Sequence, residues 1–100
     1  MMGTNYYLQT DFCPCCGKPR QTLHLGKSSH GWKFLFHQQP RIFDYESFCR
    51  VIDTGIIVDE YDNQLNKDDL IDIIGSFQNG KDHEGAKIIG GYNFLDADFC

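Results

Sequence analysis

The chain has 100 residues, of which 41% are hydrophobic, and it includes eight Phe, five Tyr and one Trp. This length and aromatic content fit one globular domain with a modest core and exclude an intrinsically disordered chain. No apolar run approaches the roughly 20 residues that a membrane helix requires, and the N-terminus lacks the pattern of a secretory signal. We therefore expect residues 1–100 to form a single cytoplasmic domain with no membrane partner.

Charge is distributed unevenly along the chain, whose formal net charge is −5. Residues 1–41 carry five Lys or Arg against one Asp, a net of +4, whereas residues 42–100 carry four against thirteen acidic residues, a net of −9. The acidic half indicates either ordinary solvated helix faces or a surface that binds a basic protein. The carboxylates that would form this surface are Asp44, Glu46, Asp59, Glu60, Asp62, Asp68, Asp69 and Asp72.

Nucleic acid is a less favoured partner than protein. Phosphate contacts require local positive charge, and the net negative charge of the chain opposes them. The cations that would make such contacts are Lys18, Arg20, Lys27, Lys33 and Arg41.

The first half of the chain predicts three strands. Residues 4–10 are rich in aromatic residues and β-formers, which favours a strand. Residues 22–25 and 32–37 predict two more strands, joined as a hairpin by the polar loop 26–31. The three aromatic side chains of residues 32–37 alternate onto one face, which predicts that this face is buried in the core.

Two helices are predicted in the second half, each with a capping residue at its start. Asp44 is typical of a helix N-cap, and the apolar spacing after it predicts a helix to about residue 54, ended by Gly55. Asn66 is the second expected N-cap, for a helix over residues 67–77.

Short strands are predicted around the second helix. Residues 56–61 read as a strand, residues 78–85 as a polar loop, and residues 87–94 as a final strand weakened by Gly90 and Gly91. Strands followed by helices indicate an α+β fold. We expect a small antiparallel sheet that carries a zinc knuckle, with two helices packed on it.

The most informative motif is Cys13-Pro14-Cys15-Cys16-Gly17. Cys13 and Cys16 have the spacing that presents two thiolates to one metal ion, while the proline and Gly17 favour the tight turn that this requires. Cys15 lies inside the turn and is either a spectator or a substitute ligand. Five cysteines, three of them within four positions, fit a cytosolic metal site better than a disulfide framework.

A tetrahedral zinc needs two further ligands, for which the candidates are His24, His30, His37 and Cys49. If the predicted hairpin is symmetric about residues 28 and 29, His37 lies opposite residue 20 and close to the cysteines. His24 then lies about 13 Å from His37 along the strand. A bulge or a shifted register would be needed to bring both histidines to one ion.

The sequence therefore predicts a structural zinc bound by Cys13, Cys16 and His37, with His24 as the next candidate. A catalytic zinc is not expected, because neither a His-Glu-x-x-His run nor a deaminase His-x-Glu pair is present. No nucleophile–base pair is visible either, and we expect a protein that is not an enzyme.

The stretch around residues 26–32 is the second candidate site. Gly26-Lys27-Ser28 resembles the end of a phosphate-binding P-loop, but Gln21 stands where the first glycine belongs and a strand is predicted where a helix should follow. The residues Lys27, Ser28, Ser29, His30 and Trp32 remain candidates for holding a small phosphate-bearing ligand such as a nucleotide. The alternative is an ordinary solvated loop.

Three stretches of the first 40 residues resemble a known group of proteins: Met2-Gly3-Thr4-Asn5-Tyr6-Tyr7-Leu8, then Cys13-x-x-Cys16-Gly17, then Leu23-His24-Leu25-Gly26-Lys27-Ser28-Ser29-x-Gly31-Trp32-x-Phe34. They are similar to short proteins encoded by tailed bacteriophages. The resemblance implies an accessory phage protein in the bacterial cytoplasm. It also implies that the partner is a bacterial host or defence protein, such as a CRISPR component, which this protein binds and inhibits.

Overall fold

Two long strands, β1 (Gly3–Phe12) and β2 (Pro19–Ser29), pair antiparallel and form the centre of a sheet. The structure is a computed structural model, of which residues 3–96 are described. The remaining elements are listed here in chain order: β3 (Leu35–His37), α1 (Tyr45–Ile52), β4 (Ile56–Asp59), β5 (Gln64–Leu65), α2 (Lys67–Phe77), β6 (Lys87–Ile89) and β7 (Tyr92–Leu95).

The seven strands form one sheet in the order β5-β4-β1-β2-β3-β7-β6. Every strand pair is antiparallel except β3 and β7, which run parallel. The predicted α+β class is confirmed. Residues 1–2 and 97–100 lie outside the described part of the chain.

Both helices begin where their capping residues predict. The Asp44 side chain accepts the backbone N–H of Ser47, whose hydroxyl accepts the backbone N–H of Asp44 in return. Asn66 and Asp69 make the same reciprocal pair at the start of α2. These caps satisfy backbone donors that have no partner within the helix, which is why such residues determine where helices begin.

The core lies between the helices and one face of the sheet. It contains 13 buried apolar residues, among which Phe34, Phe36, Phe48 and Phe94 are fully buried. The Phe36 ring stacks on Phe94 with 4.8 Å between centroids and meets the edge of Phe48 at 4.8 Å. Each such ring contributes about 1.5–3 kcal/mol through burial, which makes this aromatic cluster the main support of the fold.

The predicted 26–31 loop and the symmetric hairpin register are both wrong. The second strand continues to Ser29, and Gly26 pairs with Phe36, so that His37 comes opposite Leu25 rather than residue 20. The physical reason is that residues 30–34 do not pair with β2. The chain turns at Ser29, a bridge pairs Trp32 with Lys81, and Phe34 enters the core.

The predicted final strand is divided in two. Gly90 and Gly91 have φ angles of 60° and 86°, which side chains rarely adopt, and they form the turn between β6 and β7. The hairpin that results places β7 beside β3.

The outer part of the β1–β2 hairpin projects from the sheet. Strand β4 pairs with β1 only from Tyr6 to Gln9, and β3 pairs with β2 only at Gly26 and Lys27. Residues 11–22 therefore have no strand beside them other than their own partner within the hairpin. The molecule is correspondingly elongated, with extents of 44 × 26 × 24 Å.

Candidate functional site

The cysteine motif forms the tip of the projecting hairpin. The Gly17 N–H donates to the Cys13 carbonyl and the Cys13 N–H donates to the Lys18 carbonyl, both at 2.8 Å. Gly17 has a φ of 72°, a left-handed conformation that glycine adopts without strain. The local sequence thus determines a tight turn that holds three cysteines at the exposed end of the hairpin, and we call residues 13–18 the cysteine tip.

The Cys13 sulfur is surrounded by hydrogen-bond donors. The backbone amide of Cys16, then the amide of Cys15, the Cys16 thiol and the Arg20 side chain lower the pKa of the Cys13 thiol to about 7. Amides that point at a sulfur stabilise the thiolate, which is the form of cysteine that binds metals.

This arrangement supplies half of a tetrahedral zinc site. Two thiolates bound to one zinc at about 2.3 Å lie about 3.8 Å apart, so neighbouring thiols at the cysteine tip fit the ion. Within residues 3–96, however, no group of three His, Cys, Asp or Glu side chains is placed to hold a metal. Within the described residues, the cysteine tip therefore offers a zinc ion the two thiolates of Cys13 and Cys16.

The predicted histidine ligands lie away from the cysteine tip, His24 on β2 and His37 at the end of β3. Pro19 pairs with Phe12 at the base of the cysteine tip, whereas His24 pairs with Tyr7. Five residues of strand separate Pro19 from His24, a distance of about 16 Å. The structure therefore does not bring His24 and His37 to the cysteines.

His24 and His37 do meet each other. Their Nδ1 atoms are 3.1 Å apart and their ring centroids 5.0 Å apart. The observed register causes this contact, because His37 comes opposite Leu25, the neighbour of His24. Strand alternation places both rings on the face of the sheet opposite the core, since Leu25 and Phe36 point into it.

A chain of hydrogen bonds fixes the orientation of this histidine pair. Glu60 Oε1 accepts the backbone N–H of Asn5 at 2.8 Å and its side-chain amide at 3.4 Å. Because a carboxylate only accepts, the Asn5 amide nitrogen faces Glu60, and its oxygen faces His24 Nε2 at 3.0 Å. His24 Nε2 therefore carries a hydrogen. In the neutral pair, His24 Nδ1 accepts and His37 Nδ1 donates.

The Gln39 side chain ties the two histidine strands together. Its amide nitrogen donates to the carbonyls of His24 at 2.8 Å and of His37 at 3.2 Å. Sequence reasoning identified the histidines but missed Asn5, Glu60 and Gln39 as their partners. A polar Asn within a strand of aromatic residues is the one signal that the sequence offers, and it does not reveal Glu60, which is 55 positions away.

The second candidate site is divided by the structure. Ser28 and Ser29 are buried within β2, and the Ser28 hydroxyl lies 3.3 Å from that of Tyr6. His30 and Trp32 instead line a cavity of about 250 Å³, together with Gly31, Ser76, Phe77, Asn79 and Gly80. Lys27, Ser28 and Ser29 do not line this cavity, so the five predicted residues do not form one site.

The Trp32 cavity lies at the C-terminal end of α2. The carbonyl groups at this end carry partial negative charge, and the last turn of α2 has no basic residue. Trp32 stacks on His83 at 5.2 Å between ring centroids, and His83 Nε2 lies 2.8 Å from the Lys33 carbonyl. Aromatic walls and a negative helix end suit a neutral or cationic group better than a phosphate.

Several charged residues of the predicted surfaces have structural partners. Lys33 pairs with Asp82 at 2.9 Å and Arg20 with Asp11 at 4.0 Å, which leaves less positive charge for phosphate contacts. On the acidic side, Asp59 accepts three hydrogen bonds in the turn that follows β4.

The chain matches no protein-family model, and no curated protein or solved structure is significantly similar to it. Neither helix within residues 3–96 has the length and apolar composition needed to cross a membrane.

Proposed function

We propose that this chain is a non-enzymatic accessory protein that binds zinc at its cysteine tip and that binds and inhibits another protein. The observation that carries the proposal is the pair of adjacent thiols, Cys13 and Cys16, at the exposed end of a hairpin that projects from the sheet. A metal centre in this position lies away from the aromatic core and is accessible to a partner.

The resemblance to bacteriophage proteins suggests which partner to test first. It points to a bacterial host or defence protein, CRISPR components included, in the bacterial cytoplasm. The acidic second half of the chain supplies complementary charge for a basic protein of this kind.

The test is affinity purification of the tagged protein from bacterial lysate, followed by metal analysis and mass spectrometry. We expect zinc and a specific bacterial protein to be retained by the natural chain and lost from the C13S/C16S variant. Cys15→Ser, an exposed substitution in the same turn, is the matched control and should retain both. Equal recovery of the partner with the C13S/C16S variant would contradict the dependence of partner binding on the metal centre.

A small-ligand binder is the second candidate, favoured by the Trp32 cavity. A thermal-shift screen should include nucleotides and inorganic phosphate beside neutral and cationic compounds. Stabilisation by a nucleotide that is lost on His30→Ala would support a phosphate-bearing ligand. No response from any class would remove this candidate.

A further inference from the structure

The cysteine tip provides two of the four ligands that a tetrahedral metal ion requires. Cys13 and Cys16 lie in one hydrogen-bonded turn, and no group of three His, Cys, Asp or Glu side chains within residues 3–96 is placed to hold a metal. The neighbouring Cys15 is exposed and does not join the pair. A zinc ion bound by this pair keeps two coordination positions that another molecule can fill.

A second copy of the same chain supplies the missing ligands in the required number and kind. Two cysteine tips together offer four thiolates, which is the ligand set of a structural Cys₄ zinc site. A two-fold axis through the metal relates the two tips, as in the commonest form of protein dimer.

The shape of the hairpin permits this approach. Residues 14–18 are exposed, and residues 11–22 project beyond the neighbouring strands, so that two tips can meet without contact between the two sheets.

The charge near the cysteine tip also suits a four-thiolate centre. Zinc with four thiolates carries a net charge of −2. The cysteine tip and the strand ends beside it carry two cations, Lys18 and Arg20, and one carboxylate, Asp11, a net of +1. Two copies therefore supply +2 next to the metal centre, which offsets its charge of −2.

We infer that zinc joins two copies of this chain through Cys13 and Cys16 of each copy, forming a zinc-bridged dimer at the hairpin tips. This inference rests on the proposed zinc binding and adds its stoichiometry and the second copy that completes the ligand set. The bridged state contains one zinc for two chains, and it forms without a disulfide.

The experiment is native mass spectrometry and size-exclusion chromatography with light scattering, in a non-chelating reductant, during a zinc titration. We expect a monomer without zinc and conversion to a dimer that saturates at one zinc per two chains. Excess chelator should return the monomer. The C15S variant should behave as the natural chain, and the C13S/C16S variant should remain monomeric at every zinc concentration.

The other outcomes separate this inference from the proposed function. One zinc per monomer, lost in the C13S/C16S variant, would overturn the bridged dimer and leave zinc binding at the cysteine tip intact. A dimer that persists in chelator, or that the C13S/C16S variant also forms, would overturn the bridge as well. No zinc binding at all would overturn both.

Discussion

The hydrogen-bond chain that orients the histidine pair is tested most directly by Asn5→Ala. Asn5 is only 7% exposed, and its side-chain oxygen is the acceptor for His24 Nε2 at 3.0 Å. The substitution removes this acceptor and the 3.4 Å contact from the Asn5 amide to Glu60, while the 2.8 Å bond from the backbone N–H to Glu60 remains.

The groups that lose a partner are His24, which is half-buried, and Glu60, which is exposed, so solvent can compensate part of the loss. The expected cost is therefore the net value of a hydrogen bond, about 0.5–1.5 kcal/mol. For a domain of 100 residues, 1 kcal/mol corresponds to about 4–8 °C in melting temperature. We therefore expect Asn5→Ala to lower the melting temperature by about 2–12 °C.

The assay is urea and thermal unfolding of the zinc-free protein, with Asn63→Ala as the matched control. Asn63 is exposed and its amide donates to Asp59 Oδ2 at 3.1 Å, so the same substitution there should change stability by no more than about 0.5 kcal/mol. Equal effects of the two substitutions would refute the reasoning about burial.

Proton positions provide a second readout that does not depend on stability. Long-range ¹H–¹⁵N correlation spectra of the natural chain above pH 7 should show the hydrogen of His24 on Nε2 and that of His37 on Nδ1. The reverse tautomer of His24 would show that the Asn5 side chain does not set its orientation.

Two further predictions concern the cysteine tip and the packing under Trp32. In metal-free, reduced protein, alkylation of Cys13 by iodoacetamide should accelerate as pH rises through about 7. The reason is that neighbouring groups lower the pKa of this thiol to about 7, and the thiolate is the nucleophile. A midpoint of the rate against pH that lies above 8 would contradict the amide–sulfur contacts. Gly80→Ala should lower the free energy of unfolding by about 1–3 kcal/mol, because its Cβ would lie 2.5 Å from the Trp32 carbonyl carbon. Gly75→Ala is the control, because Gly75 lies within α2 and a Cβ added there would meet no neighbouring side chain or strand within 4 Å. This substitution should raise the free energy of unfolding, measured in urea, by about 0.5–1 kcal/mol.

Local features of the fold were predictable from the sequence. The N-caps Asp44 and Asn66 and the extent of α2 were predicted correctly, because a cap depends on backbone groups only two or three residues away. The exposed turn at the cysteine tip has the same origin, since a proline, a glycine and short-range hydrogen bonds determine it. The zinc itself stays a prediction.

Pairing between distant segments was not predictable in the same way. The β2–β3 register depends on where Phe34 and Phe36 enter the core and on the bridge between Trp32 and Lys81, which the loop sequence does not encode. A shift of register moves every side chain of a strand relative to its partner. The assumed symmetric register therefore placed His37 beside the cysteines.

The sequence by itself determined the class of the fold, its helix starts and the donor groups of its candidate sites, because each of these depends on residue type and near neighbours. Only the tertiary structure determined which of these candidate side chains lie close together in space. The observed register brings His24 to His37, and the free length of the hairpin leaves Cys13 and Cys16 about 16 Å or more from that pair. Contacts such as Asn5 with Glu60 join residues 55 positions apart, and they form because packing of the core fixes the order and register of the strands.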